Sequence, residues 1–312
     1  MNRAIRFSPQ YQQRVWGGRS LQTTLGRRLP KPKAPFGESW EISARPEAMS
    51  QVERGWLTGK TLDELWQEQR TELFGERFGE LDHFPLLFKV LDAQDKLSIQ
   101  VHPPAKVAAE LGGEPKNEMW YVADAQPGAK LYIGLKAGVT EEAFAAAIEN
   151  GGVEELVHSI EPKAGEFIYI PSGRLHAIGA GLLIYEIQQS SDTTYRVFDW
   201  NRLGLDGKPR DLHVAPSMKC IDFEDIEPTM DQPHGNIITQ CDDFVVRWLE
   251  TTPGNKVFAS NPDECVIITV LDGELHSDYD TFQVGDFFLL PRNSKAMTAG
   301  KNGANYLETS LG

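Results

Sequence analysis

Two stretches of this chain echo one another: Gly165-Glu166-Phe167-Ile168-Tyr169-Ile170-Pro171 and Gly285-Asp286-Phe287-Phe288-Leu289-Leu290-Pro291. Each reads glycine, acid, a short apolar run, proline. Glycine suits the turn into a strand, the apolar run suits the strand, and proline, which has no N–H, ends the ladder. The first continues through Gly173 to His176; the second continues Arg292-Asn293-Ser294-Lys295-Ala296 with no histidine at the matching place. The repeat predicts two related β-barrels, one with a metal site and one without.

The metal site is read from Leu97-Ser98-Ile99-Gln100-Val101-His102-Pro103. Apolar and polar residues alternate here, so a strand puts Leu97, Ile99 and Val101 on one face and Ser98, Gln100 and His102 on the other. A face carrying an amide and an imidazole suits a metal inside a barrel. Lys116-Asn117-Glu118-Met119-Trp120-Tyr121 adds a carboxylate on a second strand-like run, and His176 adds an imidazole after a tight turn. The candidate ligands are therefore Gln100, His102, Glu118 and His176. Two imidazoles and a carboxylate match a catalytic zinc with an open position, and the amide oxygen of Gln100 is a weaker fourth donor. The same three groups also describe the facial triad of non-haem iron(II) oxygenases. His83, His158, His213, His234 and His276 are taken as surface or satisfied core residues.

Along the chain, residues 1–60 read as irregular structure with short strands, including the compact elements Trp16-Gly17-Gly18 and Gly37-Glu38-Ser39-Trp40. Thr61 and Glu64 form a capping-box pattern that opens a helix over 61–78. Strands are expected at 84–91 and through 96–135. Thr140 caps a helix to Asn150, stopped by Gly151-Gly152, and 153–160 reads as a second short helix. Strands follow at 167–170, 182–189 and 195–200, then at 244–249, 265–271, 282–284 and 287–290. Asp272-Gly273 is a hairpin turn signal. The domain boundary is set near 230, giving a metal-binding domain over 1–230 with a helical insert at about 139–160, and a second β-domain over 231–312.

Charge narrows the partners. With 45 acidic against 31 basic residues the net charge is -14, so bulk electrostatics oppose binding to nucleic acid or to an anionic membrane. A small anion needs a few local cations. Arg196, in Thr194-Tyr195-Arg196-Val197-Phe198, has a planar donor fork that fits phosphate or carboxylate oxygens, with a salt bridge to Asp192 or Asp199 as the plainer alternative. Lys116 projects near the same mouth by strand periodicity and is a candidate substrate-binding group. No apolar run approaches the ~18 residues of a membrane span. Residues 1–11 lack the apolar core of a secretory signal. Cys220, Cys241 and Cys265 form no CxxC and read as reduced thiols in a cytoplasmic protein.

The run at Gly165, Pro171, Gly173 and His176 resembles the second motif of the cupin superfamily, so the fold expected is mainly β, two cupin-like jelly-roll barrels with a small helical insertion. The superfamily's first motif departs here, with Gln100-Val101-His102 in place of His-x-His. Taken together and in order, Leu97–Pro103, Lys116–Tyr121, Pro171–Ile178 and Gln188–Arg196 resemble type I mannose-6-phosphate isomerases of the shorter bacterial form. The resemblance is good over residues 1 to about 200 and holds in outline beyond. It implies one zinc per chain on Gln100, His102, Glu118 and His176, a catalytic arginine at Arg196, and a sugar phosphate as partner. The implied reaction interconverts mannose 6-phosphate and fructose 6-phosphate through an enediolate. The competing readings are a non-haem iron cupin oxygenase and a non-catalytic sugar-binding cupin.

Overall fold

The computed structural model describes residues 3–312 and is mainly β. It forms two compact units: Tyr11–Ser39 with Lys89–Asp231, and Met1–Gln10 with Trp40–Phe88 and Gln232–Gly312.

The first of these holds the candidate metal residues and is built on two antiparallel sheets. One has the strand order Tyr195–Phe198, Ile99–Val101, His176–Ile178, Leu131–Leu135, Val157–Ile160. The other runs Gln10–Gly18, Phe36–Ile42, Leu86–Ala93, Leu182–Gln189, Glu118–Ala125, Phe167–Ile170. Residues 36–39 and 89–93 of that sheet belong to this unit. A core of Trp16, Leu91, Trp120, Val122, Ile168 and Ile184 packs between strands. A second core covers the outer face of the first sheet, where Ile99, Val101, Ala177 and Val197 meet Phe144, Ala147 and Cys220. The alternation holds from 99 to 102, where Ile99 and Val101 pack on helices while Gln100 and His102 turn the other way; Leu97, expected on the face of Ile99, precedes the strand and packs in the first core instead.

Those helices show clear local causes. Glu141–Asn150 starts where the Thr140 hydroxyl accepts from the Ala143 N–H, and ends at Gly151 in the left-handed region. The stretch 153–160 is not one helix. Val153–Leu156 is helical, and Val157–Ile160 is a strand paired with Leu131–Leu135, because the β-branched residues 157 and 160 find an open sheet edge there. A helix at Ala105–Leu111, within the stretch expected to be all strand, follows Pro103-Pro104 and ends at left-handed Gly112.

The second unit contains an eight-stranded antiparallel sheet whose longest members are Val266–His276 and Met297–Leu311. Its core includes Ile268, Phe282, Phe288 and Tyr306. The echoing strand Phe287–Leu290 lies in this sheet, beside Val266–His276. The capping box forms as expected, with Thr61 and Glu64 bonded reciprocally, but the α-helix stops at Gln69 and gives way to a π turn over Arg70–Phe74.

Candidate metal centre

Strand pairing brings the candidate ligands together. His176 and Arg196 each lie directly opposite Gln100 on neighbouring strands, so the three share a face. Glu118 opens a strand of the other sheet, opposite Ile170 and Gln188. His102 follows its strand by one residue, and its carbonyl accepts from the Gly173 N–H. Gly173 sits at φ 96 in that turn, a conformation glycine reaches at little cost. The turn glycine thus ties the two histidine-bearing segments to each other.

His102, Glu118 and His176 are fully buried, and one donor atom from each lies within 4.8 Å of the others. His102 Nε2 is 3.5 Å and His176 Nε2 3.6 Å from the two oxygens of Glu118. Each ring is oriented from behind: His102 Nδ1 lies 2.9 Å from the Thr193 carbonyl and His176 Nδ1 2.9 Å from the Arg174 carbonyl. A carbonyl only accepts, so Nδ1 carries the proton in both rings and the Nε2 lone pairs face Glu118. Gln100 reaches the cluster through its amide nitrogen, 3.3 Å from His176 Nε2, while its oxygen takes the Ser98 hydroxyl at 3.2 Å. An O-ligand at this position requires the amide to turn over.

The electrostatics suit a cation. Burial, and then the Lys116 charge, push His102 down to about 4, and burial lowers His176 as well, so both imidazoles are neutral at pH 7. Burial alone would raise Glu118; Lys116 and the two histidines outweigh it and hold the carboxyl well below the usual range. Lys116 Nζ lies 2.6 Å from Glu118 Oε2 and 3.2 Å from His102 Nε2. Burial favours its neutral form, but Glu118 and Glu186 outweigh that and raise its pKa, so Lys116 is an ammonium here rather than a free base. Both Glu118 oxygens are buried and receive no hydrogen bond of acceptable angle, despite the short approach of Lys116. Two unprotonated nitrogens and an under-satisfied carboxylate, all facing inward, fit a divalent metal ion. Among the described residues this is the one such cluster of His, Cys, Asp and Glu.

Beside it opens a cavity of about 230 Å³, lined by Gln100, Lys116 and Arg196 and by residues that sequence reasoning passed over. Lys89 pairs with Glu186 at 3.1 Å, both buried, and Trp120 Nε1 donates to Glu186 at 3.1 Å. Arg14 holds Glu38 through two nitrogens, at 2.8 and 3.1 Å. Lys89 and Glu186 did leave a trace: each is a charge flanked by apolar residues within a strand, in Leu86-Leu87-Phe88-Lys89-Val90-Leu91 and Leu182-Leu183-Ile184-Tyr185-Glu186-Ile187. Arg196 Nη1 donates to the Asp211 carbonyl at 3.0 Å, and burial, then the Arg210 charge, lowers its pKa from the arginine value; a guanidinium remains a cation near neutral pH. The anticipated salt bridge from Arg196 to Asp192 or Asp199 is absent among the described residues; Asp199 binds Arg202 and Arg210 instead.

Comparison with known proteins decides the family. Residues 4–138 match the model for phosphomannose isomerase type I, catalytic domain. The mannose-6-phosphate isomerase ManA of Bacillus subtilis is 37% identical over 298 residues, 91% of this chain and 92% of that protein. This chain belongs to the type I phosphomannose isomerase family. Another member, the mannose-6-phosphate isomerase of Streptococcus mutans, is 45% identical over 213 residues, covering 68% of this chain and 66% of that one. The crystal structure of the B. subtilis mannose 6-phosphate isomerase superposes with a TM-score of 0.85 at 32% identity, covering 99% of both chains. A mannose 6-phosphate isomerase solved with zinc and yttrium has the same fold, with a TM-score of 0.75 at 16% identity. Nothing in these likenesses favours an iron oxygenase or a binding protein without turnover. Within this isomerase family, the buried His102–Glu118–His176 cluster is the natural place for a metal.

Proposed function

We propose that the chain interconverts mannose 6-phosphate and fructose 6-phosphate with one zinc ion per chain. The observation that carries this is the inward-facing set of His102 Nε2, His176 Nε2 and the Glu118 carboxylate, in a member of the isomerase family. Gln100, with its amide turned over, is the fourth ligand; zinc is one of the two metals named for a solved isomerase of this fold, the other being yttrium. When bound, such an ion acts as a Lewis acid toward the sugar's carbonyl and neighbouring hydroxyl oxygens.

The reaction moves one proton between two carbons and another between two oxygens. A general base takes the proton from the C–H beside the carbonyl of the open-chain sugar, an enediolate forms, and the base returns a proton to the neighbouring carbon while the hydroxyl proton passes to the former carbonyl oxygen. The chain's own groups prepare the site for that charge. Lys116 and Arg196 both line the cavity as cations and are suited to binding an anionic substrate. Arg196 stands opposite Gln100, next to His176 across one strand, so we assign its guanidinium to the oxygens of the reacting centre. The apolar walls Trp16, Leu91 and Leu97 limit water around it.

The metal centre and this chemistry belong to the region that the sequence reading assigned to 1–230, and the C-terminal region 231–312 is given no metal. Cys220 and Cys265 are buried free thiols, in keeping with a reducing cytoplasm. An assay coupled to fructose 6-phosphate formation tests the proposal. Zinc-loaded protein is expected to turn over mannose 6-phosphate under nitrogen as well as air; binding without turnover would reject it.

A further inference from the structure

Downstream of Arg196 the chain forms a loop, 199–213, that returns to Arg196 at its far end. The His213 N–H donates to the Arg196 carbonyl at 2.7 Å, and the Arg196 N–H donates to His213 Nδ1 at 3.1 Å. The Asp211 carbonyl accepts from Arg196 Nη1 at 3.0 Å. Backbone and guanidinium of Arg196 are thus both held by the loop's last three residues.

Asp199 holds the loop itself. It is 6% exposed and accepts from two arginines. Arg210 donates through Nε at 2.7 Å and Nη2 at 2.6 Å, and Arg202 donates through Nε at 3.1 Å and Nη2 at 2.8 Å. Arg210 immediately precedes Asp211. Apolar packing does little for the loop, since Leu203, Leu205 and Leu212 are 53%, 58% and 47% exposed. Trp200 anchors only its start, donating to the Leu97 carbonyl at 2.6 Å. Trp200 and Asn201 both have positive φ, 56 and 52, a turn that side chains adopt at a cost. Arg202 also donates to the Lys96 carbonyl and, at 3.4 Å, to Asp95, and inside the loop the Gly204 N–H donates to the Lys208 carbonyl at 2.7 Å. Arg210, the residue next to Asp211, is gripped by the Asp199 carboxylate through charge-assisted bonds.

We propose that Asp199 is a positioning residue for catalysis: by clamping Arg202 and Arg210 it fixes the loop whose Asp211 carbonyl aims the Arg196 guanidinium at the reacting centre. This rests on the assignment of Arg196 made above. Released from Asp199, the Arg210–Asp211 segment moves away, and the guanidinium keeps its charge but loses its direction. Misalignment of this kind lowers turnover more than substrate binding.

The test uses the full zinc-loaded chain with mannose 6-phosphate, comparing D199A, D199E, R210Q, R196K and the D199A/R196K double variant. D199A should lower kcat by roughly ten- to a hundredfold and change KM by less than about threefold, with bound zinc unchanged. D199E should recover part of the loss. In the R196K background, adding D199A should change kcat by less than about twofold, because its effect passes through Arg196. The same loss in both backgrounds would overturn the proposal, as would a normal kcat in folded D199A. If R196K loses activity and D199A does not, the positioning role alone falls. If R196K keeps the wild-type kcat, the assignment of Arg196 falls and takes the clamp with it. Should D199A fail to fold, R210Q, which removes the other end of the clamp, is read against R196K by the same criteria.

Discussion

His102 and His176 present Nε2 to Glu118 only because a backbone carbonyl takes each Nδ1 proton. A ligand so oriented has no substitute nearby, and His176→Ala is expected to lose metal and activity together. Turnover should drop by at least about a hundredfold, with metal per chain, measured by elemental analysis of purified protein, falling toward zero. A variant that kept its full metal content would show that another side chain is the ligand. Lys116 invites a different test. Its ammonium is the nearest cation to a buried carboxylate, and removing one partner of such a pair costs about 3–5 kcal/mol. Lys116→Met should therefore destabilise the metal-free protein by about 3 kcal/mol and the zinc-loaded protein by clearly less, since the ion also neutralises Glu118. Denaturant unfolding with and without chelator measures both. Equal losses would mean that the metal does not sit against Glu118. The imidazoles and Glu118 were legible in the sequence because polar groups on apolar strands need a reason to be there. Lys89 and Glu186 raised the same question and were passed over, because their pairing joins strands far apart in the chain.

At the scale of elements, local signals were read correctly where the cause is local. The Thr61 capping box and the Thr140 cap both form, since three or four residues contain everything they need. What failed depended on partners. Val157–Ile160 became a strand by pairing with Leu131–Leu135, and the fifteen-residue strand Met297–Leu311 was missed. That strand contains Gly300, Asn302 and Gly303, residue types that are depleted in strands; its pairing with Val266–His276 breaks register at two points, where such residues are tolerated. The Trp16-Gly17-Gly18 and Gly37-Glu38-Ser39 elements do pack, as their composition suggested, and they also build a wall of the cavity. A Cβ on Gly17 would overlap the backbone of Gly37 and its neighbour Phe36, and Trp16 and Glu38 line the cavity from the same two strands. Gly17→Ala is therefore expected to cost about 1–3 kcal/mol by forcing those strands apart and to raise KM by displacing Trp16. Thermal unfolding together with steady-state kinetics checks it; an unchanged melting temperature would show that the strands separate freely.

For the molecule as a whole, charge and pH decide the largest effects. A net charge of -14 leaves solubility to acidic side chains, and no described helix is long and apolar enough to cross a membrane. The chain is dominated by antiparallel β-structure, as the many short strands and turn signals led one to expect, and both copies of the glycine–acid–strand–proline segment form strands, Phe167–Ile170 and Phe287–Leu290. The repeat could not show that the chain crosses between its two compact units four times, because such crossings depend on contacts between distant segments. The buried cluster makes the protein acid-sensitive when metal is absent. His102 titrates at about 4 in the folded protein against 6.5 for the free side chain, and His176 is lowered in the same direction. Between those pH values the unfolded chain binds protons that the folded one refuses, so stability falls as pH drops from about 6.5 to 4. His102 alone accounts for about 3 kcal/mol of that fall. Glu118, depressed below its free value of 4.5, adds a further loss as pH falls below that value. Zinc at a thousandfold excess over its dissociation constant should add about 4 kcal/mol near neutrality, and should lose that effect on acidification as protons compete for the same imidazoles. Urea unfolding in chelator at pH 7.5, 5.5 and 4.5 should show the decline, and His102→Gln, which removes the titrating group, should flatten it over the upper part of that range. A wild-type midpoint that holds steady between pH 7.5 and 4.5, or an undiminished slope in the variant, would mean that the histidines are not buried as neutral, ligand-ready bases.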